Sequence, residues 1–270
     1  MPTTITSDGV AIHHSTVGAG PDVVLVHGLT DRSATWGPIT GMLAERYRVT
    51  TLDLRGMGES GDADDYGSTT MVRDVEAVVA AVGIDDPLVI GHSLGGIVVT
   101  AYAATAPVRG TINLDQSLHL SGFQVALQQV ESLLRDPASF PSVIQAVFDG
   151  LDGPVLAEAE HAALKAEIVG LRRQRQEVVL GVWDQVFSST VGELDALMAQ
   201  ITADITTPYL SLEFIDNGPG YPDWLRALVP HALVESWIVP VDGGPAVEFG
   251  HYGHRLDPSR LVERVIAFDK

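Results

Sequence analysis

The chain has 270 residues, 46% of them hydrophobic and 19% charged, with no cysteine and a formal net charge of −19 at pH 7. That length and balance suit one folded domain with a sizeable core rather than a disordered segment, and the missing cysteines exclude disulfides, thiolate metal sites and a cysteine nucleophile. Lys165 and Lys270 are the only lysines, and so acidic a surface repels nucleic acid and anionic membranes, which removes both as expected partners.

The opening MPTTITSDGV has neither the basic region nor the apolar core of a secretory signal, and no apolar run is long enough to span a membrane, so the cytoplasm is the expected location. Two strands are predicted at residues 3–6 and 10–17, closed by the turn Gly18-Ala19-Gly20-Pro21. The apolar run 23–26 reads as a strand covered on both faces. A helix near 39–46 and a strand at 49–54 follow. Met71, Val72, Val75, Val78, Val79 and Val82 then recur at helical spacing, with Ser68 to Thr70 as candidate caps. A strand at 88–90, a helix beginning near Leu94 and a strand at 111–114 complete a regular alternation. Such alternation implies a mostly parallel sheet with helices on both faces.

The alternation stops at Ser117. From there to about Asp204 the pattern is helical only, as in Phe123, Leu127, Val130 and Leu134. Strands are predicted again at 209–214 and 232–238. A last helix has Asp257 as N-cap, Pro258 at its first position, and Leu261, Val262, Val265 and Phe268 facing inward. The chain therefore divides into a first core part (residues 1–116), a helical insertion (117–205) and a second core part (206–270).

The segment PLVIGHSLGGIVV places Gly91-His92-Ser93-Leu94-Gly95 between a strand and a helix, the context of a nucleophile elbow. Small neighbours let such a turn pass close to adjacent strands while the serine is held exposed and strained. The N–H of Leu94 then points at the same spot and can stabilise an oxyanion.

With VVLVHGLTDRSATW, TLDLRGMGES and VIGHSLGG in this order, the sequence resembles the α/β-hydrolase superfamily, in its esterase and cofactor-free haloperoxidase-like branch. The likeness is good over residues 10–114, resumes from about 206, and is weak across the insertion. It implies the α/β-hydrolase fold with an inserted helical lid, a Ser-acid-His triad with Ser93 as nucleophile, and no cofactor. It also implies that the N–H of Leu29, after His27-Gly28, is the second oxyanion donor, and that His27 and His92 pack beside the site.

In this fold the acid and then the histidine follow the serine along the chain. FGHYGHRLDPSRL supplies His251 and His254. The family pattern, with the base directly after a glycine, selects His251 and leaves His254 to anchor the loop. The preceding stretch IVPVDGGPAVEFG is longer than the family's usual turn and is expected to reshape the pocket mouth. The acid has two candidates. Asp216, at the end of PYLSLEFID, is preferred because the family usually places it after the penultimate strand; Asp115, in INLDQS, is the alternative. Asp53 belongs to the D-x-R-G turn and is read as structural.

Other motifs lead elsewhere. Gly56, Gly58 and Gly61 match G-x-G-x-x-G, but acidic Asp62, Asp64 and Asp65 follow in place of a helix N-terminus for a pyrophosphate. His13-His14 and His251-x-x-His254 have no further ligands, so no metal is expected. Leu118, Phe140, Phe148, Trp183 and Phe187 are candidates for an apolar pocket wall, although most are expected to pack between lid helices. Arg172 and Arg175 stand at i, i+3 and are expected to pair with acids such as Glu167 rather than with a substrate carboxylate.

The expected reaction is hydrolysis of a small to medium neutral carboxylic ester or lactone through an acyl-enzyme. The same triad also serves C–C bond hydrolysis, amide hydrolysis and perhydrolysis. A ligand-binding or receptor-like protein with little turnover is the reading of another class.

Overall fold

The computed structural model describes residues 2–239 and 247–270. Its main sheet has eight strands: β1 (Thr3–Ile5), β2 (Ala11–Gly18), β3 (Asp22–Val26), β4 (Arg48–Leu52), β5 (Leu88–His92), β6 (Gly110–Leu114), β7 (Tyr209–Glu213) and β8 (Leu233–Ser236). They lie in the order β1-β2-β4-β3-β5-β6-β7-β8. Within this sheet β2 runs antiparallel to its neighbours, pairing both β1 and β4 that way. From β4 to β8 every pairing is parallel. The apolar runs within β3 and β5 follow from this position, because both of their faces are covered; every residue of β5 and β6 is buried.

On one face lie α1 (Pro38–Ala44) and, from the chain's end, the helix Pro258–Phe268; the other carries α2 (Val72–Val82) and α3 (Leu94–Ala103). Helix α2 ends at Gly83, whose φ of 70° makes the left-handed cap that glycine adopts freely. Its start differs from the expectation: no side chain caps it, and Thr70 donates its hydroxyl to Asp65 at 2.6 Å. The last helix starts as expected, with the Asp257 carboxylate accepting from the N–H of Arg260 at 3.0 Å.

Between β6 and β7 the chain forms α4 (Ser121–Arg135), α5 (Phe140–Leu156), α6 (Ala162–Leu171), α7 (Gln176–Ser188) and α8 (Val191–Thr202), with no strand among these described residues. Helix α5 is broken near its end at Gly153, with φ 75° and ψ 172°, just before Pro154. After β7 come α9 (Tyr221–Leu228), a pair of short strands β9 (Ile238–Val239) and β10 (Val247–Glu248), α10 (Gly253–Leu256), and the last helix, α11. Residues 240–246, within the stretch expected to reshape the pocket mouth, lie outside the described residues. Among the described residues no helix is long and apolar enough to cross a membrane.

Candidate active site

Strand β5 lies inside the sheet between β3 and β6, and Ser93 follows its last residue. The Ser93 backbone sits at φ 53°, ψ −126°, a left-handed conformation that a non-glycine residue holds only where the surroundings over-determine it. The glycines around it explain how. A Cβ on Gly91 would overlap the carbonyl oxygen of Gly95, one on Gly95 that of Val26, and one on Gly96 the side chain of Asn113. The strand-to-helix crossing is thus too tight for any side chain at these three points, and Ser93 is left half-buried at its apex. Because Ser93 caps α3, the Leu94 N–H belongs to the first turn, whose donors have no acceptor within the helix.

Ser93 and His251 line one cavity of about 200 Å³, together with Leu29, Leu94 and Asp115. The rest of its wall is mostly apolar and comes largely from the insertion, including Phe123 of α4, Phe148 and Leu151 of α5, Trp183 of α7 and Met198 of α8; polar Gln116, His119, Gln185 and Asn217 also line it. Of the five residues expected to line a pocket, Phe148 and Trp183 do so, while Leu118, Phe140 and Phe187 pack in the core. Nothing in the sequence marks Phe123 or Met198 as wall residues, since each fits a helical pattern like its neighbours. Among the described residues the wall holds no lysine or arginine.

His251 is buried and fixed on three sides. Its Nδ1 lies 2.6 Å from Asp115 Oδ2, its N–H donates to the Leu151 carbonyl of α5 at 2.9 Å, and its carbonyl accepts from His92 Nε2 at 2.8 Å. With the Asp115 carboxylate as acceptor, the hydrogen sits on Nδ1 and the Nε2 lone pair is free to act as a base. His254 lies buried among Trp36, His92 and Phe214, away from the cavity wall. Burial, the nearby Arg255 and His251 all push its pKa well below the ordinary value, so it stays neutral.

The preferred pairing of His251 with Asp216 is corrected. Asp216 is exposed, and its Oδ1 accepts from the N–H of Gly218 at 2.8 Å, closing a turn. Asp115 directly follows β6 at φ 51°, which turns its carboxylate back across the sheet end. There Oδ1 accepts from the N–H groups of Phe214 and Ile215 at 2.6 and 2.9 Å. The segment that leads to Asp216 therefore serves to hold Asp115.

The neighbouring motif residues are in structural roles. His27 accepts the Leu54 N–H at Nε2 and donates from Nδ1 to the Gly28 carbonyl. Asp53 takes the N–H groups of Ser33 and Glu59, at 2.6 and 2.8 Å, tying two loops together. Beneath Asp115, Glu213 at the end of β7 is buried with Ser211 and Asn217 as hydrogen-bond partners. Burial, and then the nearby Asp115 charge, push its pKa up to about 8.

Arg172 does not pair with Glu167. It bonds Asp152 at 2.6 Å, while Glu167 pairs with Arg255 at 2.8 Å and Arg175 with Asp62 and Glu177. Helix α6 ends at Leu171, so these arginines lie in a linker and the spacing rule for helix faces does not govern them.

The family model described as the alpha/beta hydrolase family matches residues 23–265. A pimeloyl-[acyl-carrier protein] methyl ester esterase from Aliivibrio salmonicida is 38% identical over 99 residues, which is 37% of this chain and 36% of that protein. The chain thus aligns with only about a third of the length of such curated relatives. Over nearly the whole chain it is similar to the crystal structure of an enol-lactonase from Burkholderia xenovorans LB400, at a TM-score of 0.76 and 16% identity, covering 99% of each chain. An esterase structure from Rhodococcus sp. ECU1013 superposes with a TM-score of 0.75 at 24% identity, covering 99% of this chain and 98% of that one. With the family match running from β3 into α11, the chain belongs to the alpha/beta hydrolase family.

Proposed function

We propose that the protein is a serine hydrolase acting on neutral, largely apolar carboxylic esters or lactones, with Ser93, His251 and Asp115 as its triad. The observation that carries this reading is the Asp115–His251 pair, facing the same cavity as a serine held at φ 53°. His251 Nε2 takes the Ser93 hydroxyl proton as Oγ bonds to the ester carbonyl carbon. The carbonyl oxygen becomes an oxyanion held by the N–H groups of Leu29 and Leu94; a single such donor is typically worth about 3 kcal/mol. The bond to the leaving oxygen then breaks, His251 gives its proton to that oxygen, and an acyl-enzyme remains. Water repeats the sequence with His251 as base and restores Ser93. A lactone differs only in that the leaving alcohol stays attached to the acyl group.

The cavity supports the substrate class. Its volume of about 200 Å³ exceeds the ~150 Å³ of an apolar cavity that holds one benzene ring. An aromatic ring or a chain of similar bulk is therefore accommodated. A wall without lysine or arginine among the described residues, in a protein of net charge −19, disfavours anionic substrates. The esterase and lactonase named among the similar proteins are consistent with this chemistry.

The test is initial rates on p-nitrophenyl esters from acetate to decanoate, for the wild type and Ser93→Ala, with fluorophosphonate labelling read by mass spectrometry. Turnover that vanishes in the variant, a label on Ser93 and an optimum among short and medium chains are expected. Equal rates in both proteins at every chain length would overturn the reading. Retained ligand affinity without turnover in the wild type would point instead to a binding protein.

A further inference from the structure

The triad leaves unexplained why a full charge is buried between the insertion and the histidine segment. The Arg172 and Asp152 side chains are each only 1% exposed. Burying such a pair is costly, and well-packed apolar residues usually serve folding as well or better. What Arg172 touches suggests another use. Its guanidinium lies 4.6 Å from the ring centre of Phe148 and 5.1 Å from that of Tyr252. Phe148 is cavity wall, and Tyr252 adjoins His251 in the chain.

The Tyr252 hydroxyl continues the connection. It accepts from Arg172 Nε at 3.4 Å and sits 3.0 Å from both carboxylate oxygens of Asp31. Asp31 closes the turn that carries Leu29, through its own N–H to the Gly28 carbonyl at 3.2 Å. The next residue, Arg173, donates its N–H to the Thr30 carbonyl at 2.8 Å. Backbone contacts run in parallel. The N–H of His251 is held by Leu151, and the break in α5 at Gly153 seats its backbone directly against Gly250.

We propose that Arg172 is a positioning residue, clamping Tyr252 between the insertion and the Asp31 turn so that the His251 imidazole and the Leu29 N–H keep their relative placement. It does not touch the reacting atoms; it acts through the backbone of residues 251–252 and the 28–31 turn. The proposal rests on the triad proposed above. It also implies that the α5–α6 part of the insertion is fastened to the site and does not lift away as a free lid.

The test compares the wild type with Arg172→Met and the double variant Arg172→Met/Asp152→Leu. The double variant guards against misfolding, because it removes both members of the buried Arg172–Asp152 pair at once. Arg175→Met, whose partners Asp62 and Glu177 are exposed, is the control. On p-nitrophenyl acetate the double variant is expected to melt near the wild-type temperature but to lose kcat by roughly 100-fold. Its KM should move by less than about 3-fold. The second readout is the downfield proton resonance of His251 Nδ1–H, assigned by its loss in Asp115→Asn. It is expected to broaden or shift upfield in both Arg172 variants, whether or not the protein turns over esters. If the wild type is inert but the resonance moves, the hydrolase reading fails and the positioning role stands. If the double variant folds with wild-type kcat and an unmoved resonance, the positioning role is overturned.

Discussion

Replacing Asp115 with asparagine tests the site at its most specific point. The amide that results keeps an oxygen to accept the N–H groups of Phe214 and Ile215, which Asp115 now holds at 2.6 and 2.9 Å. The other carboxylate oxygen, 2.6 Å from His251 Nδ1, becomes an NH2 group. A donor there requires Nδ1 to accept, so the imidazole hydrogen moves to Nε2 and the base can no longer take the serine proton. The same tautomer error in a serine-protease triad lowers kcat about 10⁴-fold, equivalent to about 5.4 kcal/mol of transition-state stabilisation. Asp115→Asn is expected to show a loss of that order on p-nitrophenyl butyrate, with a melting temperature close to the wild type's. Asp216→Asn keeps its acceptor for Gly218 and should stay within about 2-fold of wild-type activity, as surface changes of this sort do. Should Asp115→Asn keep more than a tenth of the activity, or Asp216→Asn lose as much as Asp115→Asn, the assignment of the acid would be refuted.

Two further outcomes follow from the packing around the site. Gly95→Ala forces a Cβ onto the Val26 carbonyl oxygen and within 2.7 Å of that of His27; backbone atoms of a central strand cannot move aside. It should destabilise by about 3 kcal/mol or more in urea unfolding, and wild-type stability would contradict the tight-crossing account. Glu213 gives a pH signature. Its folded pKa is raised from 4.5 to about 8, so the folded state holds a proton that the unfolded chain has released. Stability from this group is complete below about 4.5 and lost as pH rises towards 8, at a slope of about 1.4 kcal/mol per unit. Glu213→Gln, which retains hydrogen-bonding capacity towards Ser211 and Asn217, should abolish that component. Parallel stability-against-pH curves for the two proteins across this window would exclude a raised Glu213 pKa.

The parts of the molecule governed by local rules were legible in the sequence. The strand-Gly-x-Ser-x-Gly-helix segment leaves Ser93 little choice, and the continuous apolar runs of β3 and β5 mark strands inside a parallel sheet. The end of the sheet rhythm at Ser117 marked the helical insertion. The carboxylate that pairs with His251 was not legible in the same way, because Asp115 and Asp216 each lie close to the end of a strand. What separates them is that the N–H groups of Phe214 and Ile215 are spent on Asp115, a contact across about a hundred positions of chain that no spacing rule encodes. Tyr252 and Asp31 carried only one signal, adjacency to His251 and nearness to Leu29. Arg172 and Arg175 pair with acids as expected, but Arg172 takes Asp152 rather than Glu167, because α6 stops one residue before it and leaves the arginine off the helical lattice that the i, i+3 argument assumes.

The placement of Asp115 divides mutational freedom unevenly along the chain. Ser93 and Asp115 follow neighbouring strands joined by α3, so a single strand-helix-strand unit fixes the spacing of the proposed nucleophile and its proposed acid. Only the histidine comes from beyond the insertion, and its register is set by contacts with Asp115, with His92 and with Leu151 of α5. Residues of α4, α7 and α8 that line the cavity can therefore vary, and with them the bulk of group the cavity admits, while Ser93 and Asp115 stay where they are. Changes at Leu151–Gly153 or at Gly250 have no such latitude: the same backbone contacts that shape the pocket also hold His251.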